Sequence, residues 1–105
     1  PKKIIKYEDL LFETENTLLK LIEFLEEKFK LKFQNIDIKL KNVLETTNFK
    51  TLQHYEKKYG FKATGNNEKY FRQGSANQWK KILTKEQIKK IEFSFKDKMM
   101  KFGYI

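Results

Sequence analysis

The chain has 105 residues, 39% of them hydrophobic, and a formal net charge of +9, which fits one small domain, or a piece of a larger one, with a thin core. It contains no cysteine, so disulfides and thiolate metal sites are excluded, and its single His54 cannot by itself form a metal site or a Ser-His-Asp triad. No apolar run approaches the roughly 20 residues of a membrane span, and no signal peptide is recognisable, so we expect a cytoplasmic protein without a membrane span.

The positive charge raises nucleic acid or a membrane surface as partners. However, 14 acidic residues are interleaved with 23 Lys and Arg residues, and no clustered basic face or helix-turn-helix spacing is recognisable. A solvated lysine-rich surface is the favoured interpretation, and it argues against nucleic acid as a partner. The charge also suits a small polyanionic ligand.

Residues 1–11 are predicted to form a short strand followed by a turn, because the β-branched Ile4 and Ile5 precede a polar run. A single strand needs a sheet, and no further strand is predicted after it. We therefore expect its partner strands in a preceding part of a longer chain.

Three helices are predicted next. The first covers residues 14–30, with Thr14 as its N-cap. Residues 33–47 fit either a strand or a helix, and we choose a helix with Asn35 as the cap. Asn48 is predicted to cap a third, short helix.

The third helix is predicted to end at Gly60, and residues 61–70 are predicted to be a connector with a turn at 65–67. Thr84 and Gln87 have the spacing of a capping box, which predicts the start of the last helix. Its apolar stripe, which continues to Gly103, consists of Ile88, Ile91, Phe95, Met99 and Phe102.

Between these helices lies a polar loop, residues 71–80, with the only arginine and the only tryptophan of the chain, Arg72 and Trp79. A guanidinium matches two oxygens of a phosphate at once, unlike the lysines used elsewhere, and Gly74 allows backbone to approach a ligand closely. The loop is thus a candidate anion site. The alternative is that Arg72 only pairs with a surface carboxylate such as Glu68.

Several runs, in this order, resemble the C-terminal signature of the sulfotransferase family: Phe-Arg-Gln-Gly from residue 71, Gln-Trp-Lys from residue 78 and Leu-Thr-x-Glu-Gln from residue 83. The resemblance implies a mostly α chain, residues 1–105, forming the C-terminal helical part of a P-loop-like α/β sulfotransferase fold with one short N-terminal strand. It also implies 3′-phosphoadenosine 5′-phosphosulfate (PAPS) as the sulfuryl donor and a small-molecule or carbohydrate acceptor.

The family's residues can be carried over at four places. Tyr7, in Tyr-Glu-Asp-Leu, matches the tyrosine that contacts adenine, and Thr47-Asn48-Phe49 resembles the family's Thr-Ser-Phe segment, in which the threonine and phenylalanine lie at the adenine. Tyr7 and Phe49 could equally be core aromatics.

The Arg-Lys-Gly segment that holds the donor's 3′-phosphate in the family is matched by Arg72 and Gly74, while Gln73 replaces the lysine. Loss of that lysine predicts weaker but retained binding. Trp79 stands at the family's Gly-Asp-Trp position and is predicted to anchor the loop on the core.

The resemblance supplies no catalytic residue here, because the family's phosphosulfate loop and histidine base would lie N-terminal to these motifs, in the remainder of the domain. The part at hand is therefore expected to be inactive alone. Two alternatives from other classes are a small basic helical domain that binds nucleic acid, and a helical protein-interaction domain that uses its phenylalanine-rich stripes.

Overall fold

The computed structural model describes residues 1–61 and 68–105, so the predicted turn at 65–67 lies outside the described residues. Within these ranges the chain is helical and contains no strand. The helices are α1 (Tyr7–Phe12), α2 (Thr14–Phe29), α3 (Ile36–Thr46), α4 (Phe49–Tyr59), α5 (Trp79–Ile82) and α6 (Lys85–Lys101).

The N-terminal segment differs from the prediction. Residues 1–6 have no regular structure, and the residues expected to form a polar turn begin α1 instead. Glu8 and Asp9 lie in the first turn of this helix, where carboxylates interact favourably with the helix dipole. A strand at Ile4 and Ile5 has no partner strand in the described chain, which explains why the β-branched pair does not set the local structure.

A sharp corner at Glu13 joins α1 to α2. Thr14 does not cap α2 as predicted, since it is the first helical residue and its hydroxyl donates to the carbonyl of Leu10 (2.6 Å). The hydroxyl of Thr17, which is buried, donates to the carbonyl of Asp9 (3.0 Å). Thr14 therefore satisfies a carbonyl at the end of α1, whereas Thr17 adds a second donor to the carbonyl of Asp9, which already accepts from the N–H of Glu13 (2.9 Å).

The core is thin, as predicted. Leu40 on α3 is the buried hydrophobic residue of the described chain, and α1 to α4 pack as a series in which each helix contacts the next. The accessible surface is 9779 Å², against about 6,300 Å² for a compact protein of this mass. The radius of gyration is 17.7 Å, against about 13 Å for a compact chain of this length. The helices thus form an open arrangement.

Two of the predicted capping sites for α3 and α4 behave differently. Asn35 lies at the N-cap position of α3 but has left-handed backbone geometry (φ 55°) and makes no side-chain cap, so this prediction is right in position and wrong in role. Asn48 caps α4 as predicted, with its Oδ1 accepting from the N–H of Thr51 (2.9 Å). The end of α4 at Gly60 (φ 73°) is also confirmed.

The capping box of α6 is confirmed. Thr84 Oγ1 accepts from the N–H of Gln87 (3.2 Å), and the Gln87 side chain accepts from the N–H of Thr84 (2.9 Å). The helix bends at Phe95, whose backbone is not helical, and α6 contacts no other helix in the described chain. Two residues of its predicted stripe, Ile91 and Phe95, are exposed, whereas the other three are half-buried: Ile88, Met99 and Phe102.

After α6 the chain returns to its N-terminal segment. The hydroxyl of Tyr104 donates to Glu8 Oε2 (3.2 Å), and the Lys6 ammonium lies 5.2 Å from the centre of the Tyr104 ring. Partial desolvation and the hydrogen bond to Glu8 raise the pKa of Tyr104 above 10.0.

No helix in the described ranges is long and apolar enough to cross a bilayer.

Candidate functional site

One face of α4 carries the loop that contains Arg72. Phe49, Gln53 and Glu56 are spaced at i, i+4 and i+7, so they lie on the same side of the helix. Each of them contacts a residue between 70 and 74. Helix α4 is therefore the support on which the loop is placed.

Polar contacts hold the start of the loop. The N–H of Tyr70 donates to Glu56 Oε1 (2.5 Å), and the N–H of Phe71 donates to Glu56 Oε2 (3.0 Å). The Gln53 amide donates to the carbonyl of Phe71 (3.0 Å). Two side chains of α4 thus satisfy three backbone groups of residues 70 and 71.

An aromatic cluster surrounds these hydrogen bonds. The ring of Phe71 lies edge-on to the rings of Phe49, Phe61 and Tyr70, with centroid separations of 6.2, 5.7 and 5.1 Å. Phe61 and Tyr70 also contact each other at 4.7 Å. Edge-on aromatic pairs of this kind are favourable beyond their buried area, so the cluster fixes the side chain that precedes Arg72.

Gly74 lies directly against the ring of Phe49. A Cβ added at Gly74 would come within 2.6 Å of Cγ and 2.7 Å of Cε2 of that ring, and the glycine has φ of 56°. Only glycine combines this backbone conformation with so close an approach. The structure therefore brings two of the predicted site residues into direct contact.

Arg72 follows Phe71 and is exposed. Its own N–H donates to the carbonyl of Tyr70 (3.1 Å). Among the described residues no carboxylate lies within ion-pairing distance of its guanidinium, so the predicted alternative of a pair with Glu68 is not observed. Gln73 is also exposed, and in the same described ranges the backbone N–H groups of Gln73 and Gly74 donate no hydrogen bond.

Thr47 lies at the junction of α3 and α4, two residues before Phe49. Its hydroxyl donates to the carbonyl of Val43 (2.6 Å). Because a hydroxyl has one hydrogen, the oxygen of Thr47 can act towards any further partner only as an acceptor. Asn48, next in sequence, is occupied with α4 and with the carbonyl of Glu45.

Tyr7 lies apart from this group in its contacts. It begins α1, is 52% exposed, and belongs to a helix that packs on α2 and has no contact with α4. The described structure therefore gathers Thr47, Phe49, Arg72, Gln73 and Gly74 around the start of α4, and it gives Tyr7 no contact with them.

Two further aromatic residues that stand out in the sequence are Trp79 in the loop and His54 on α4. Trp79 does not anchor the loop in a core, since it is 43% exposed at the start of α5, with the Lys80 ammonium 5.5 Å from the centre of its ring. His54 is exposed on α4 beside Tyr55, at 6.2 Å between rings. Across the described residues no group of three or more His, Cys, Asp or Glu residues is arranged to hold a metal ion.

Glu56 and Gln53 were not among the predicted site residues. The available signal was their helical spacing from Phe49, which places them on one face, although that spacing does not say what the face contacts. Glu56, Gln53 and Phe49 all contact the loop segment of residues 70–74. This segment carries the exposed Arg72 and the two N–H groups, of Gln73 and Gly74, that donate no hydrogen bond in the described structure. Such a segment is suited to oxygen atoms of an anion.

Comparison with known families identifies the family of the chain. The family model described as a sulfotransferase domain matches residues 3–103, nearly the whole chain. The chain therefore belongs to the sulfotransferase family, as the motifs predicted. Searches of curated proteins and of solved structures find no match.

Proposed function

We propose that this chain forms the nucleotide side of the donor site in a sulfotransferase that uses PAPS. The residues proposed to contact the donor fall into two groups, one for the adenine and one for the 3′-phosphate. The adenine side consists of Tyr7, Thr47 and Phe49, and the phosphate side of Arg72, Gln73 and Gly74. The observation that carries the proposal is the exposed Arg72, two residues before the glycine that lies against Phe49, in a chain of this family.

The phosphate side fits a dianion. The Arg72 guanidinium has no carboxylate partner among the described residues and can offer two parallel N–H donors to two phosphate oxygens. The N–H groups of Gln73 and Gly74 follow directly, at a glycine whose positive φ favours a concave backbone. Because Gln73 stands where the family has lysine, the site has one charge fewer, and we expect weaker binding than a lysine would give.

The adenine side fits a flat heterocycle with a polar edge. Phe49 is half-buried, with parts of its ring covered by Gly74 and Phe71, and the remaining surface can pack against a base. Thr47 uses its only hydroxyl hydrogen on Val43, so it would accept a hydrogen bond from the exocyclic amine of adenine. Tyr7 enters the proposal on its Tyr-Glu-Asp-Leu motif alone.

In the intact enzyme the bound donor supplies the sulfuryl group for a hydroxyl or amine of a small molecule or carbohydrate. The residues proposed here bind and orient the nucleotide and take no proton. We assign the phosphosulfate loop and the catalytic base to the remainder of a P-loop-like α/β domain, of which residues 1–105 form the C-terminal part. The chain alone would accordingly be inactive, and a cytoplasmic location remains part of the proposal.

The test is Arg72→Ala in the full-length protein, with calorimetric titration of two probes, adenosine 3′,5′-bisphosphate and adenosine 5′-monophosphate. Removing the guanidinium should weaken bisphosphate binding by about 10- to 100-fold and leave the monophosphate nearly unchanged, because only the first probe carries the 3′-phosphate. Lys81→Ala, which removes one exposed charge next to the loop, is the matched control. Equal affinities of Arg72→Ala and the unaltered protein for the bisphosphate would reject the assigned role.

A further inference from the structure

The contacts of residues 70–74 divide the loop into a fixed part and an open part. The N–H groups of Tyr70, Phe71 and Arg72 and the carbonyls of Tyr70 and Phe71 all have hydrogen-bond partners. In the described chain the N–H groups of Gln73 and Gly74 have none. The boundary falls at Arg72, so the residues that would meet an anion begin where the internal hydrogen bonds stop.

We infer that Glu56 and Gln53 are positioning residues for nucleotide binding, which act through the backbone of residues 70–71 and do not touch the ligand. The inference rests on the proposed function, since the group they position is the one assigned to the 3′-phosphate. It adds two residues of α4 to a site otherwise defined by the loop and by the α3–α4 junction.

The geometry explains why a carboxylate is needed at position 56. Its two oxygens accept separately from two successive N–H groups, at 2.5 and 3.0 Å, and hydrogen bonds to an ionised acceptor are stronger than neutral ones. An amide at this position offers one acceptor oxygen and an NH₂ group that would face a second donor. Glu56→Gln should therefore keep at most one of the two hydrogen bonds.

Arg72 depends on this arrangement because it comes one residue after Phe71. The direction of the backbone at Phe71 sets where the Arg72 side chain starts, and the Gln53 amide fixes the neighbouring carbonyl at 3.0 Å. A guanidinium that must meet two oxygens at once tolerates little displacement. Loosening residues 70–71 should thus reduce recognition of the 3′-phosphate more than contacts with the base.

The experiment measures the preference of the full-length protein for adenosine 3′,5′-bisphosphate over adenosine 5′-monophosphate, by calorimetry, for Glu56→Gln and for Gln53→Met. We expect Glu56→Gln to reduce the preference about tenfold and Gln53→Met to reduce it less, with monophosphate affinity unchanged. Glu23→Gln, on the exposed side of α2, changes charge in the same way and should have no effect. Amide hydrogen exchange at Tyr70 and Phe71 should accelerate in Glu56→Gln.

Combination with Arg72→Ala separates positioning from general stability. If Glu56 acts through Arg72, the double variant should bind the bisphosphate no more weakly than Arg72→Ala alone. Additive losses, an equal loss for both nucleotides, or an unchanged preference in both α4 variants would overturn the inference while the proposed function stands. If Arg72→Ala itself leaves the preference intact, the proposed function fails, and this inference fails with it.

Discussion

Helices α4 and α6 both begin at a side-chain cap but differ in their contacts with the rest of the chain. Both start at a residue whose side chain caps the helix, Asn48 for α4 and Thr84 for α6. The longer α6 has the stronger sequence signals, yet it contacts no other helix in the described chain and leaves Phe93 86% exposed. The shorter α4 supports the loop through bonds that span 14 to 18 residues. A capping residue thus determines where a helix begins. Hydrogen bonds from its side chains to distant residues determine whether the helix supports a site.

Of the variants that distinguish α4 with its loop from α6, Gly74→Ala is expected to lower stability the most. The added Cβ would overlap the Phe49 ring in a left-handed backbone conformation, which should destabilise the loop on α4 by about 2–3 kcal/mol and remove the preference for the bisphosphate. Urea unfolding and nucleotide titration measure the two effects.

Gly60→Ala is the control for a positive φ without steric overlap. A Cβ at Gly60 meets nothing within 4 Å, and because its φ of 73° and ψ of 174° lie in a region that essentially only glycine adopts, the backbone penalty alone should cost about 1–3 kcal/mol. Gly74→Ala should cost less in a Phe49→Ala background, where the ring is absent, than in the unaltered protein. An equal cost in both backgrounds would show that the ring does not restrict position 74.

A smaller effect is expected from Asn48→Ala, which removes the cap of α4 and should cost about 1 kcal/mol. Thr84→Ala removes the cap of α6 and should cost a similar amount. Only the first should accelerate amide exchange at Tyr70 and Phe71, because α6 has no contact with α4 in the described structure. Hydrogen exchange followed by mass spectrometry checks this, and equal acceleration in both variants would contradict the separation of the two helices.

The smallest effect concerns the contact between the end of the chain and α1. The pKa of Tyr104 is raised above 10.0 by partial desolvation and by its hydrogen bond to Glu8. The protonated phenol is therefore favoured in the folded chain, and its contribution to stability is fully present below pH 10 and is lost as the pH rises through the folded pKa. Unfolding measured between pH 8 and about pH 11 should show this loss, and Tyr104→Phe should remove it. A pH dependence that persists in Tyr104→Phe would assign it to another group.

The helices whose ends depend on neighbouring residues were predictable from the sequence. Asn48 with Thr51, and Thr84 with Gln87, are three residues apart, so their capping follows from local chemistry and is observed. The N-cap prediction for Thr14 is wrong because its hydroxyl donates to a carbonyl of α1, a helix that the sequence pattern does not predict. The expected strand near Ile4 and Ile5 failed for a related reason, since β-propensity becomes a strand only where a partner lies alongside.

The candidate site was predictable only in part. Motif order pointed to Phe49 and Gly74, and the structure shows them in contact. No local pattern could show that the partners of the Glu56 carboxylate are the N–H groups of Tyr70 and Phe71, because helical spacing defines a face and not its neighbour. The exposed Ile91 and Phe95 on the stripe of α6 illustrate the same limit, since amphipathicity predicts a surface that favours burial without specifying what packs on it.

The contact between Gly74 and Phe49 implies a constraint on how this protein can change over generations. The two positions share one small volume, so a side chain can be gained at position 74 only if bulk is given up at position 49. Positions 49 and 74 should consequently co-vary among related sequences, although they are 25 residues apart along the chain.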